Sequence, residues 1–327
     1  MERQLSSLNL PWTPNWAELF GADRPLILDI GFGFGHSLAH LHKTRPDHNI
    51  IGLEVDNSCL LKVEKTLARQ KWNNVLVLHS FAETALHHLL LPGTLHEVHI
   101  NFPDPWFKAR HAGRRLIQRD TLDAIVNRMA VNGMFYLATD ILDYAEMTHE
   151  LLMDTPGLTN ELSTPWANEM PGRTITKYER RAIEEGRTCH YFAYRRNEHP
   201  VPDVPVIKEF DMPHVVIKTQ LNLDDLLARV EVPNYDGENE THIRYLERYR
   251  GERSVLFDVF VHEPTLEQRI SVVIATRDSA EDEFTIKLGV IGTPRPTAGL
   301  HIAVGMLRDA VLQLSDDIQI IQDKVRK

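Results

Sequence analysis

Apolar and polar positions divide the first half of the chain into two recurring patterns. LILDIG (26–31), IIGLEVD (50–56), VLVLHS (75–80) and EVHINF (97–102) are short apolar runs closed by glycine, charge or an aromatic, which reads as buried strands. Between the first three, GHSLAHLHKTR (35–45) and NSCLLKVEKTLARQK (57–71) carry apolar residues at helical spacing. Asn57 or Ser58 is the expected cap of the second helix. RDTLDAIVNRM (119–129) and ILDYAEMTHELLMD (141–154) are helices on either side of a fifth strand, NGMFYLATD (132–140). Strands alternating with helices in this way predict an α/β fold with a parallel sheet covered on both faces. Ligands in such sheets bind beyond the carboxyl ends of the strands. The informative residues stand there: Asp29 to Gly35, Glu54, Asp104 and Asp140.

After residue 155 the alternation loosens, and RTCHYFAYRR (187–196) is the last strand of this region. HPVPDVP (199–205) holds three prolines and reads as a linker. This sets expected boundaries at 1–198 for the first domain, 199–206 for the linker and 207–327 for a smaller α+β domain. In the last of these, HVVIKTQ, SVLFDVFVHE, ISVVIATRD and FTIKLGVIG are strand-like, and LHIAVGMLRDAVLQLSDDIQIIQDKV has the pattern of one long amphipathic helix. HIRYLERYRGER is expected to be a plain amphipathic surface helix, with an added RNA contact as the alternative.

Composition narrows the class. A chain of 327 residues exceeds most single cores. The N-terminus has no apolar run of a signal peptide, and no window approaches 18 uninterrupted apolar residues. Cys59 and Cys189 alone make neither a disulfide framework nor a zinc cluster, so a reducing cytoplasm is expected. Thirteen of the 17 histidines precede residue 200; the clustered ones, His36, His40 and His42 and the pair His87 and His88, have no cysteine partner, and no metal is expected. The formal charge of -10 argues against a polyanionic partner unless a local patch overrides the average.

One stretch does override it. In INFPDPWFKARHAGRR (100–115), Asp104 stands between Pro103 and Pro105, and Lys108, Arg110, Arg114 and Arg115 follow with no acid between Pro105 and Arg119. The prolines restrict the backbone around Asp104. Lys and Arg suit the phosphates of any nucleic acid, and Trp106 and Phe107 offer planes for an unpaired base.

The first strand runs into Gly31, Gly33 and Gly35. The dinucleotide fingerprint needs its third glycine one place later, where His36 stands. The spacing, preceded by the acid Asp29, suits S-adenosylmethionine, whose ammonium and sulfonium are cationic. Glu54 suits a ribose diol in either kind of cofactor.

GFGFG, GLEVD, INFPDPWFKARHAGRR, ATD and TKYERR together resemble the bacterial tRNA (guanine-N7-)-methyltransferase family over roughly residues 20–197. The resemblance implies a Rossmann-like methyltransferase sheet, S-adenosylmethionine as donor, and tRNA methylated on N7 of a variable-loop guanine. Asp29, Glu54 and Asp104 would contact the cofactor, with Asp104 also catalytic. Lys108, Asp140, Thr176, Lys177, Tyr178 and Glu179 would contact tRNA. Where the family often has an acid after the third strand, HSFAE offers Ser80 or Glu83. A monomer or a homodimer is compatible with this reading. Two rivals are a methyltransferase for a small molecule or protein, and an RNA-binding module without catalysis.

Overall fold

Leu26–Ile30 is buried at every position, as a strand covered on both faces must be. In the computed structural model, which describes residues 4–237, 239–278 and 280–326, this strand lies inside an eight-stranded sheet. The chain divides into two units, residues 1–207 and 208–327.

The first unit runs β1 (Gln4–Ser6), α1 (Trp16–Phe20), β2 (Leu26–Ile30), α2 (His36–Thr44), β3 (Asn49–Glu54), α3 (Asn57–Gln70) and β4 (Val75–His79). A short turn, α4 (Ala82–Thr84), leads through a π-helical turn to β5 (Leu95–Asn101), α5 (Arg119–Arg128), β6 (Met129–Thr139) and α6 (Leu142–Met153). β7 (Leu158–Asn160), α7 (Lys177–Glu184) and β8 (His190–Arg196) complete it. The strand order is β1-β4-β3-β2-β5-β6-β8-β7. The chain leaves β2 toward β3 on one side and returns to β5 on the other, so the switch point lies between β2 and β5.

Alternate residues of the strands feed two cores. Ile27, Ile50 and Val77 meet Leu38, Leu60 and Val63 of α2 and α3 on one face. Leu28, Leu53 and Val98 meet Leu122, Ile125 and Tyr144 of α5 and α6 on the other. The cap of α3 is Asp56, not the expected Asn57 or Ser58 that follow it; its carboxylate accepts the Cys59 N–H at 2.9 Å.

The sheet is not parallel throughout. β8 is antiparallel to β6, and β7 to β8. Thr139, the last residue of β6, pairs with His190, the first of β8. The segment carrying α7 therefore hands the chain over at the carboxyl ends of the strands, where ligands bind. The proline-rich segment lies along the same unit: buried Arg128 donates to the carbonyls of Leu86 and Val204, and the Ile207 N–H donates to His87 O.

The second unit is an antiparallel sheet in the order β10-β11-β12-β13-β14-β9-β15. Its strands are β9 (His214–Lys218), β10 (Tyr235–Asp236), β11 (His242–Arg250), β12 (Ser254–Glu263), β13 (Leu266–Arg277), β14 (Ala280–Leu288) and β15 (Gln319–Asp323). α8 (Leu223–Arg229) and α9 (Ala298–Leu312) share its core, with Leu226, Leu300 and Leu307 against Val259 and Val272. Two expectations are corrected. HIRYLERYR is strand β11, because pairing with β12 satisfies its backbone and buries Ile243. The long C-terminal helix stops at Leu312; after a turn at Ser315–Asp317 the chain becomes β15 and covers the edge of β9.

Candidate active site

The glycine loop is shaped by steric need. Gly31, Gly33 and Gly35 all have positive φ, and a Cβ at Gly35 would stand 2.6 Å from Val63 Cγ2. The loop is tied to the next strand: the Gly33 N–H donates to Glu54 Oε2 at 2.8 Å. Glu54 Oε1 accepts the N–H groups of Val55 (2.8 Å) and Asp56 (3.0 Å). Beneath the loop, Asp29 is fully buried. Its Oδ2 accepts from the Ser37 hydroxyl, while Oδ1 has no partner. Burial pushes the Asp29 carboxyl pKa up, against the pull of the Ser37 hydrogen bond.

Ser80, expected beside a cofactor, is buried and donates its hydroxyl to Phe81 O at 2.9 Å. Glu83 stands half-buried in the first turn of α4. Two of the groups open to solvent here are apolar. Val55 follows β3 and Phe81 follows β4, and both are about half exposed. Neither was marked by the sequence, although an exposed apolar residue just past a buried strand is a usable signal.

The Asp104 loop is bent at both ends. Phe102 (φ 53°) and Trp106 (φ 43°) hold left-handed backbone, which costs a bulky residue about 1–3 kcal/mol. Hydrogen bonds oppose that cost. The Phe102 N–H donates to Ala138 O at 2.8 Å, and Arg115 Nε donates to Pro105 O at 3.0 Å. Arg115, read from the sequence as a tRNA contact, thus grips the loop from behind. The Arg114 guanidinium lies 5.2 Å from the Trp106 ring centroid, so one face of that ring is in use. Asp104, Phe107, Lys108 and Arg110 are exposed.

The residues of TKYERR divide by burial. Thr176 and Glu179 are buried and form a capping box: each backbone N–H donates to the other's side chain at 3.2 Å. Glu179 Oε1 also accepts the Tyr191 hydroxyl at 2.7 Å. Lys177 and Tyr178 face outward. Lys177 Nζ lies 4.1 Å from the Phe34 ring centroid, and Lys62 Nζ lies 4.3 Å from the same ring. Tyr178 leans over Gly33, 3.6 Å from where a Cβ would be. Asp140 is largely buried in an ion pair with Arg187.

The cleft beside the glycine loop shares Ser37, Asn101 and Thr176 with a cavity of about 360 Å³ between α2 and strands β5 and β6. Arg173, His40 and Tyr136 also line the cavity. Arg173 carried no signal in the sequence reading.

These residues fit S-adenosylmethionine. The unpartnered Asp29 Oδ1 suits an ammonium. Glu54 Oε2, with one hydrogen bond, retains acceptor capacity for a ribose hydroxyl. Val55 and Phe81 offer apolar surface to a base. Among the described residues no cluster of His, Cys, Asp and Glu could hold a metal ion, and no helix is long and apolar enough to cross a membrane.

A family model described as "Putative methyltransferase" matches residues 23–192. A tRNA (guanine-N(7)-)-methyltransferase of Thermus thermophilus is 31% identical over 313 residues, spanning 95% of this chain and 96% of that protein. An enzyme of the same name from Burkholderia lata is 37% identical over 186 residues, 57% of this chain and 72% of its own. Among solved structures, a 16S rRNA methyltransferase aligns with a TM-score of 0.43 at 16% identity, covering 56% of this chain and 92% of that one.

Proposed function

The chain belongs to the tRNA (guanine-N(7)-)-methyltransferase family, and we propose that its substrate is a guanine in the variable loop of tRNA, presented at Asp104. S-adenosylmethionine supplies a methyl group on a cationic sulfur, and guanine N7 supplies a lone pair that needs no prior deprotonation. The protein therefore needs no strong base. Its task is to align the reactants and to meet the positive charge that moves onto the purine.

Asp104 does the second. Its loop is braced by Arg115 and bent at Phe102 and Trp106, so the carboxylate is placed before substrate arrives. Lys108 and Arg110 hold phosphates, and the exposed ring of Phe107 stacks on a base. Lys177 and Tyr178 form the opposite wall of the cleft. Thr176 and Glu179, occupied in the helix cap, and Asp140, occupied by Arg187, act by fixing α7 and its segment. Asp29 and Glu54 hold the two polar ends of the donor, with Val55 and Phe81 against its base. The setting is the cytoplasm, where tRNA is modified.

The observation that carries this reading is a continuity along the chain: Asn101 lines the donor cleft, and Asp104 and the cationic run follow within a few residues. The experiment is incubation with methyl-labelled donor and unmodified tRNA, followed by nuclease mapping. Label as N7-methylguanine in the variable loop is expected. Label on another base, or only on small molecules or protein, overturns the reading.

A further inference from the structure

Arg173 stands in the loop before α7 with its charge incompletely met. Nη2 donates to Asn101 Oδ1, and the guanidinium lies 5.1 Å from the Tyr191 ring centroid. Nη1 is buried and has no partner. Burial depresses the Arg173 pKa, with Glu179 and Asp29 among the charges that counter it. Neither closes the gap. Glu179 has both oxygens committed, to Thr176 and Tyr191. Asp29 has one oxygen on Ser37 and the other open. One buried region therefore contains a cation with an unused donor and a carboxylate with an unused acceptor, each feeling the other's charge without pairing. Leaving such groups open is costly. A ligand that answers both must carry an anion and a cation of its own.

We propose that Arg173 receives the carboxylate of the methyl donor's amino-acid end while Asp29 receives its ammonium. The assignment rests on the donor reading above and adds a residue to it. Open space supports it: Arg173 lines the cavity that shares Ser37, Asn101 and Thr176 with the glycine-loop cleft. Asn101 then has two roles, since it steadies Arg173 and begins the segment that carries Asp104. The donor's acid end and the catalytic loop are thereby held by one strand terminus. Arg173 is a binding and positioning residue, since it lies at the end of the donor remote from the transferred methyl.

Titration calorimetry on the full chain tests this with two ligands. S-adenosylmethionine has both charged groups; its decarboxylated analogue keeps the sulfonium and ammonium and lacks the carboxylate. The wild-type chain is expected to prefer S-adenosylmethionine by roughly 10- to 100-fold, as one charge-assisted hydrogen-bonding contact allows. Arg173→Gln is expected to lose that preference, with affinity for the analogue within about twofold of wild type, which also reports an intact fold. Equal but partial losses for both ligands, or no loss for either, overturn the assignment. If Arg173→Gln binds neither, Arg173→Lys decides: a retained preference for the carboxylate-bearing donor supports it, and an abolished one overturns it. A wild-type chain that binds neither ligand overturns the donor reading itself, and the assignment with it.

Discussion

The two units treat buried polarity in opposite ways. In the second, buried polar groups form closed exchanges. The Gln268 amide donates to Arg295 O at 3.0 Å and accepts the Arg295 N–H at 2.8 Å. Glu263 accepts from the Thr297 hydroxyl and from the Gly299 N–H at the start of α9. His301 bonds Asp211 O through Nε2 and accepts the Arg326 N–H at Nδ1. Among the described residues, no buried side-chain nitrogen or oxygen of this unit lacks a hydrogen bond, whereas the first unit leaves Asp29 Oδ1, Thr148 Oγ1, Arg173 Nη1 and Arg187 Nε open. A fold that works alone satisfies its buried polar groups from within. A fold that receives a charged ligand leaves some for the ligand to satisfy. The left-handed aromatics Phe102 and Trp106 add conformational cost beside Asp104, the residue proposed for the chemistry.

Four experiments test this contrast. The largest effect is expected at the loop. Asp104→Ala should slow single-turnover methyl transfer by about 10²–10³-fold, while tRNA affinity measured by filter binding stays within about twofold. Equal losses in both would mean that the acid chiefly anchors RNA.

Acid should reach the first unit before the second. Burial lowers the pKa of His40, His48, His87 and His190 in the first unit. In the second, His301 is similarly lowered. A histidine lowered in the folded state contributes stability that is complete above its unfolded pKa of about 6.5 and is lost as pH falls through the folded value. Exchange protection factors should therefore drop more in residues 4–207 than in 208–326 between pH 7 and 5. A second acid step belongs to Glu97. Burial opposes its ionisation, but hydrogen bonds to His99 and Arg45 prevail and hold its pKa at about 2. Its contribution is complete above about pH 4.5 and disappears toward pH 2. A larger loss of protection in the second unit would reverse the contrast.

Glu263→Ala removes the acceptor at the head of α9. It should cost the second unit about 1 kcal/mol in exchange protection, with donor affinity unchanged. A parallel fall in donor affinity would show that the units share their stability. The smallest effect is expected at Lys108. Replacing it with Ala should weaken tRNA binding a few-fold and reduce the salt dependence by about one phosphate contact. An unchanged slope would remove Lys108 from the phosphate path.

Much of the first unit was legible because its signals are local. The period of LILDIG and of NSCLLKVEKTLARQK needs no partner to be read, and the glycine spacing and Pro-Asp-Pro restrict the backbone by themselves. Difficulty began where local patterns were ambiguous. HIRYLERYR places apolar and aromatic residues at spacings that fit a helix, and only β12 beside it makes it a strand. Thr176 and Glu179 have the chemistry of ligand contacts, yet they spend it on each other and on Tyr191, a partner twelve residues away. Arg115 is one cation in a cationic run until Pro105 O is seen in front of it.

The alternation of strands and helices between residues 26 and 154, the acids at the strand ends and the cationic run after Asp104 could be read from the sequence, since each rests on residues within a turn or two of one another. Strand direction in β7 and β8, the left-handed bends around Asp104, and the unmet charges of Asp29 and Arg173 were decided only by the tertiary structure. Whether a buried group is satisfied depends on which distant atoms reach it, and folding alone brings those atoms together.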